Sequence, residues 1–267
     1  MAVDSGKSMR QNAPCLSKLD LLRVIIRSFI FQGSWNFKKM QNVGFAFSAA
    51  PALRRLYPDQ KEQEAALGRH LEFYNSHPYM ASFVLGAIIK MEERHSKGED
   101  IKIEDILTFK KAMMGPMGAL GDSFFWASWR PFLGALAAAL ALIGWKLTPI
   151  AFLLVYNIPH FYIKFFGFWQ GYILERGIVE RIRKYDLFRC SAHLKSFMLI
   201  ILGAMIPVVI KLDCKPPSLC LNLIEKLGVV LGILIISEFF RRKITLTRLL
   251  VITSSICILL GILNILK

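Results

Sequence analysis

The sequence predicts an all-α integral membrane protein, with amphipathic and re-entrant helices first and several transmembrane helices toward the C-terminus. Three observations point there. Of the 267 residues, 54% are hydrophobic, more apolar surface than a soluble domain needs. Lys and Arg number 34 against 19 acids, a net charge of +15, and they cluster between apolar runs. That is the pattern of cytoplasmic loops in membrane proteins, and no recognisable nucleic-acid module accompanies it, so nucleic acid is not an expected partner. Most of the uncharged runs are shorter than the ~20 residues a helix needs to cross the hydrocarbon core.

Residues 1–19 are polar and lack an apolar h-region, so they read as an N-terminal tail on the cytoplasmic side rather than a secretory signal. Residues 20–111 read as an amphipathic, interfacial and re-entrant region. Asp20 is placed to cap a helix beginning LLRVIIRSFIFQ, whose apolar stripe is Leu21, Val24, Ile25 and Phe29 with Arg23 and Arg27 beside it. Such a stripe with basic flanks suits the membrane interface, and the helix is predicted to continue through Met40 toward Gly44. Pro51 and Tyr57-Pro58 interrupt it. The polar stretch 53–77 forms a surface hairpin. Asn75 to Pro78 breaks a helix, and Met80–Ile89 is an apolar run of ten residues, too short to span and suited to a re-entrant or buried segment. A charged surface stretch follows.

Residues 112–195 form a Gly-rich membrane core region, and 196–267 the C-terminal transmembrane helices. The uncharged runs 131–145, 147–163, 165–174, 196–210, 227–237 and 249–266 are cut by Lys146, Lys164, Glu175, Lys211 and Lys226. They pair into spans with charges at their ends or remain half-helices, which are tolerated only where protein or a water-filled cavity covers them. The basic stretches from Arg176 to Lys195 and from Arg241 to Lys243 are expected on the cytoplasmic side. Segment 196–210 then leaves the cytoplasm, 222–240 returns and 246–266 leaves again. The five cysteines (15, 190, 214, 220, 257) show no metal spacing. They read as free thiols, with a bridge between Cys214 and Cys220 as the alternative.

Three stretches can carry chemistry. In FQGSWNFKKMQ, residues 31–41, helical spacing puts Ser28, Gln32, Asn36 and Lys39 on one face with Trp35 adjacent. Amides both give and accept hydrogen bonds, as sugar hydroxyls do, and an indole can pack on the C–H face of a sugar ring. The bland alternative is a solvated face beside a core tryptophan. In MGPMGALGD, Gly115, Gly118 and Gly121 with Pro116 argue against a plain helix and suit a tight turn or a close backbone crossing. Asp122 then either caps the helix starting SFFWASW or acts as a ligand or ion-pair group at membrane depth. Trp126 and Arg130 follow on its face. NSHP (75–78) and YNIPH (156–160) place Asn, Pro and His at breaks between apolar runs, as the lining of a transport path would. His77 and His160 lack acid partners close in sequence and read as structural histidines rather than phosphoryl carriers. No nucleophile elbow, HExxH or carboxylate pair is present, so no catalytic residue, metal or cofactor is expected.

Four stretches in order, RSFIFQGSWNFKKMQNVGFAFSAAPALRRLYP, RHLEFYNSHPYMASFVLGAIIKMEE, GPMGALGDSFFWASWRPFLGALAAALAL and YNIPHFYIKFFGFWQGY, carry a resemblance. Over residues ~20 to ~175 the chain resembles the IID component of the mannose/fructose/sorbose class of bacterial phosphotransferase-system permeases. The last third matches mainly by its apolar profile and the basic RRK turn. The resemblance implies a multi-pass subunit of the inner membrane that pairs with a IIC subunit to carry a hexose-type sugar. A IIB component, charged by IIA, would phosphorylate the sugar, and the IID chain would not be the phosphate carrier. It also implies elevator-type movement and a higher oligomer in lipid. The short 211–222 loop and the strongly basic 176–195 stretch depart from that pattern. Gln32, Trp35, Asn36, Asn75 and Asp122 are the expected substrate-binding residues. The competing readings are a purely structural subunit that anchors IIC, and a membrane enzyme, for which no catalytic set is visible.

Overall fold

A computed structural model describes residues 15–209 and, beyond them, positions 228, 231 and 232. The chain divides into two compact units, Met1–Gly203 and Ala204–Lys267. The described residues of the second are helical; apart from positions 228, 231 and 232, the expected C-terminal spans 222–240 and 246–266, with Cys214, Cys220 and Cys257, lie outside the described residues. The first unit is built from helices, with two isolated β-bridges and no strand among its described residues.

Helix α1 (Lys18–Ser28) is opened by a capping box. Ser17, not Asp20, is the N-cap; the Asp20 amide donates to Ser17 Oγ at 3.2 Å, and the Ser17 amide donates back to the Asp20 carboxylate at 3.1 Å, satisfying two orphan donors at once. Leu21, Val24 and Ile25 are buried as the stripe predicts. The helix stops at Ser28 rather than continuing toward Gly44; residues 29–41 are a run of turns. Helix α2 (Asn42–Leu56) packs on α1. Helix α3 (Gln60–His70) is capped by Asp59, which accepts the amides of Lys61 and Glu62 at 3.0 Å each.

Helix α4 (Ala81–Ser96) is the centre of the unit; every residue from Ala81 to Ile89 is buried, as the short apolar run implies. It crosses α7 (Thr148–Leu174) at a glycine pair. A Cβ built on Gly86 would land on the carbonyl of Phe168, and one on Gly171 on the carbonyl of Phe83. Backbone meets backbone there, which only glycine permits.

The Gly-rich stretch does not turn the chain. Helix α5 (Ile103–Gly121), a π-helical segment (Asp122–Trp129) and α6 (Arg130–Leu142) form one continuous helix of 40 residues, Ile103–Leu142. The π segment has a wide turn in which Ser128 Oγ donates to the Ser123 carbonyl at 2.6 Å. α7 likewise runs through Lys164 and Pro159 without breaking, then passes by a 3-10 turn (Glu175–Gly177) into α8 (Ile178–Arg183), 36 residues in all. Lys164 does not end the helix because its long stem delivers the amino group to a backbone acceptor inside the protein. Helix α9 is Leu187–Val209. The segments Ile103–Leu142, Thr148–Arg183 and Leu187–Met205 are each long and apolar enough to cross a membrane. α7 leaves Ile150, Leu153, Leu154, Ile158 and Phe161 exposed, an apolar surface suited to lipid or a second subunit.

Candidate functional site

Two irregular segments and one helix build the site. The first segment, 29–41, leaves α1; the second, 71–80, leaves α3. Strand-like pairing holds them together: the Gln41 amide donates to the Tyr74 carbonyl at 2.8 Å and the Tyr74 amide to the Lys39 carbonyl at 3.4 Å. The Gln41 side chain adds two bonds to the Ser76 backbone, at 2.8 and 3.1 Å. Met40 takes a left-handed φ of 56° to close the turn, and its amide and carbonyl exchange bonds with Asn36 at 2.8 and 3.1 Å. Position 40 is not β-branched, but a left-handed conformation still costs a non-glycine residue roughly 1–2 kcal/mol.

Against this pair of segments lies α5 with the start of the π helix. Ser76 Oγ donates to the Met114 carbonyl at 3.1 Å. A Cβ on Gly121 would collide with the His77 ring, so glycine here allows the helix to approach the second segment. The gap that remains is a cavity of about 380 Å³, within the size range of small-molecule pockets, roughly 300–1,000 Å³. From the first segment Gln32, Trp35 and Gln41 line it; from the second, Asn75, Ser76, His77 and Pro78. Met114, Gly115, Gly118, Ala119, Asp122 and Trp126 complete the wall.

Four of the five residues expected from the sequence therefore converge: Gln32, Trp35, Asn75 and Asp122. Asn36 does not line the cavity. Its Nδ2 donates to the Met40 carbonyl and to Asn42 Oδ1, and its Oδ1 accepts the Lys39 amide, so it shapes the turn. Lys39 is spent on the Leu71 carbonyl at 3.2 Å. Asp122 is not a cap; it begins the π-helical turn within a continuous helix and makes no capping bond. Ser76 and His77 belong to the NSHP stretch expected to line a path, whereas Gln41, which ends the amide-rich stretch that singled out Gln32, was not expected there.

His77 is a buried ring stacked on Phe125 at 5.1 Å and 12°. Its Nδ1 accepts the Tyr79 amide at 3.3 Å, and its buried Nε2 has no partner among the described residues. Burial pushes its pKa down to about 3, with the charges of Lys164 and His160 adding to the effect, so the imidazole is neutral at pH 7. Asp122 is the one carboxylate among the lining residues. The wall thus offers amides that both donate and accept, two indoles, a hydroxyl and a carboxylate: groups for a small, neutral, hydroxylated ligand. Cys15 and Cys190 are free thiols, exposed and not among the lining residues.

Three helices long and apolar enough to cross a membrane, with a polar cavity between two irregular segments and α5, mark this as a membrane protein. A family profile described as "PTS system mannose/fructose/sorbose family IID component" matches residues 15–266. The mannose-specific EIID component of the phosphotransferase system of Escherichia coli (strain K12) is 36% identical over 192 residues, 72% of this chain and 68% of that one. The fructose permease IID component of Bacillus subtilis (strain 168) is 29% identical over 85% of this chain and 89% of its own length. A solved chain described as "Structure of membrane protein" superposes with a TM-score of 0.73 at 29% identity, covering 93% of this chain and 97% of that one. A chain from the cryo-EM structure of the mannose transporter ManYZ with microcin E492 (MceA) superposes at 0.59, also at 29% identity, over 92% and 97%. The chain belongs to the IID components of the mannose/fructose/sorbose family of phosphotransferase-system permeases.

Proposed function

We propose that this chain, paired with a IIC subunit in the bacterial inner membrane, carries a hexose-type sugar that a IIB component phosphorylates with phosphate received from IIA. In this reading the cavity is the part of the sugar path that this chain supplies. The observation that carries it is the convergence of Gln32, Trp35, Asn75 and Asp122 from three separate elements on one space of about 380 Å³. Amide pairs match vicinal hydroxyls, an indole matches the C–H face of a pyranose, and a carboxylate accepts from two hydroxyls at once. The chain is a transport subunit rather than an enzyme. A buried, neutral His77 packed on Phe125 is poorly disposed to take a phosphoryl group. The basic stretch from Arg176 to Lys195 supports a multi-pass topology with the N-terminus in the cytoplasm. The exposed apolar side of α7 supports burial against IIC, lipid or further copies in a higher oligomer.

Uptake of labelled mannose by cells carrying the assembled permease tests this. Asp122→Asn and Gln32→Leu are expected to raise the uptake KM about tenfold or more, roughly 1.4 kcal/mol per decade, whereas Asn36→Ala acts through stability. The exposed apolar face of α7 also favours a purely anchoring subunit. Wild-type KM in both cavity variants would establish that reading instead.

A further inference from the structure

We propose that Lys164 and Lys110 are positioning residues for the cavity, each fixing the point at which one of its two wall segments leaves a helix. The proposal rests on the sugar-path reading above. Both lysines are only 2% exposed. Both reach a helix C-terminus from a different element. Lys164, on α7, donates from Nζ to the Ser28 carbonyl at 2.7 Å and to Ser28 Oγ at 3.4 Å. Lys110, on α5, donates from Nζ to the His70 carbonyl at 3.1 Å. Ser28 is the last residue of α1 and His70 the last of α3. The next residue in each case begins a cavity segment, 29–41 or 71–80.

Neither amino group lies within 4 Å of a carboxylate among the described residues. A buried lysine ordinarily has such a partner. Two other sources of negative potential act on both, alongside the more distant Glu72 and Glu92 near Lys110. The end of a helix carries about half a negative charge on its free carbonyls, and aromatic faces attract cations. Lys164 Nζ lies 5.7 and 5.6 Å from the ring centres of Phe29 and Phe31; Lys110 Nζ lies 4.2 and 5.5 Å from those of Phe45 and Tyr74. These aromatics belong to the segments themselves or to the helix between them.

The same arrangement at both helix ends ties each wall to a long membrane helix. For α5 the tie has a register. Lys110, Met114, Gly118 and Asp122 recur at four-residue steps, so each is a surface neighbour of the next along the helix. The cap at Lys110 therefore sets how far along the second segment the cavity residues Met114, Gly118 and Asp122 stand. The lysine cap at Ser28 does the same for Gln32 and Trp35, four and seven residues on.

The test uses Lys164→Met and Lys110→Met, which keep the apolar stem and lose the donor, with the exposed Lys61→Met, which touches neither segment, as control, all in the intact permease. Backbone hydrogen exchange in detergent should rise about tenfold, locally, over 29–41 for Lys164→Met and over 71–80 for Lys110→Met. Mannose uptake KM should rise about tenfold at an unchanged amount of assembled complex, with the maximal rate little altered. Unaltered local exchange in both variants overturns the proposal. Exchange raised with KM unchanged overturns the sugar reading of the cavity on which it rests, while the caps stand. Where a Met variant does not assemble, the corresponding Arg variant retains a donor; assembly with wild-type exchange supports the cap, and loss of assembly again assigns these positions to packing and overturns it.

Discussion

Gln41 closes a two-bond ring on the backbone of Ser76: its Nε2 donates to the Ser76 carbonyl at 2.8 Å and its Oε1 accepts the Ser76 amide at 3.1 Å. Both residues are buried. One side chain thus does for the two cavity segments what a β-ladder does for two strands. Replacing it by Leu, of similar bulk, leaves a buried N–H and a buried C=O unpaired, at about 1–3 kcal/mol each. Gln41→Leu is expected to lose about 2–6 kcal/mol of stability and to raise the KM for sugar uptake, because Asn75 and Gln32 are no longer held at a fixed separation. Thermal unfolding of the detergent-solubilised complex and uptake kinetics measure the two effects. A variant with wild-type midpoint would mean the ring is dispensable.

The α4–α7 crossing makes a harder test. Gly171→Ala would place a methyl group on the Phe83 carbonyl, where no side chain can step aside. Overpacking typically costs 1–3 kcal/mol, and a backbone-on-backbone clash belongs at or above the top of that range. The variant is expected to accumulate poorly in membranes. Gly134, in α6, has nothing within 4 Å of its would-be Cβ; Gly134→Ala should accumulate normally, gaining up to about 1 kcal/mol from helix propensity. Immunoblots of membrane fractions compare them.

The parts of this fold that follow local rules were legible in the sequence. The stripe Leu21, Val24, Ile25 is buried as its spacing requires, and the buried run before Lys90 was visible as apolar length. Segment 29–41 was not, because Ser28, Gln32, Asn36 and Lys39 keep helix-like steps of four, four and three residues by coincidence, although residues 29–41 are a run of turns. What fixes that run is pairing with Tyr74 and Ser76, partners more than 30 residues away. Asp122 looked like a cap because an acid before an apolar run is the usual cap pattern; continuity of α5 through a π turn has no comparably simple sequence mark. Lys164 looked like a boundary because its acceptor, Ser28, is 136 residues distant. The amide stripe led to Gln32 and Trp35 although the helix it assumed is absent there, and the breaks in the apolar runs led to Asn75 and Asp122; all four line the cavity.

His77 makes stability depend on pH near neutrality. Its pKa is lowered from 6.5 to about 3, burial first and the Lys164 and His160 charges next. The unfolded chain therefore binds a proton between those values that the fold does not. Stability from this group is present above pH 6.5 and declines as pH falls toward 3, by about 1.4 kcal/mol per unit at most. His77→Gln should flatten the thermal midpoint between pH 7 and 5 relative to wild type. An unchanged slope would mean that another group dominates there.

The buried Glu92 offers the largest expected single effect. Its carboxylate takes Arg69 Nε at 2.8 Å and Nη2 at 2.5 Å, His70 Nε2 at 2.8 Å and the Tyr57 hydroxyl at 2.7 Å. Burial opposes the charge, but the bonds from Arg69 and His70 outweigh it and hold the carboxyl well below the usual carboxylate range; burial in turn keeps His70 neutral. A depressed carboxylate contributes stability above its unfolded pKa of 4.5, lost as pH falls below that value. Glu92→Gln abolishes this contribution at every pH and leaves the Arg69 guanidinium, largely buried, without an anion. Breaking one half of such a pair costs about 3–5 kcal/mol. Glu92→Met alone and Arg69→Met alone should each fall in that range. The double variant, with neither charge left to desolvate, should be less destabilised than either single variant. Thermal midpoints of the four proteins at pH 7 close the cycle. A double variant worse than both singles would show that the pair is retained for more than mutual neutralisation, with Tyr57 and His70 depending on it for their own partners.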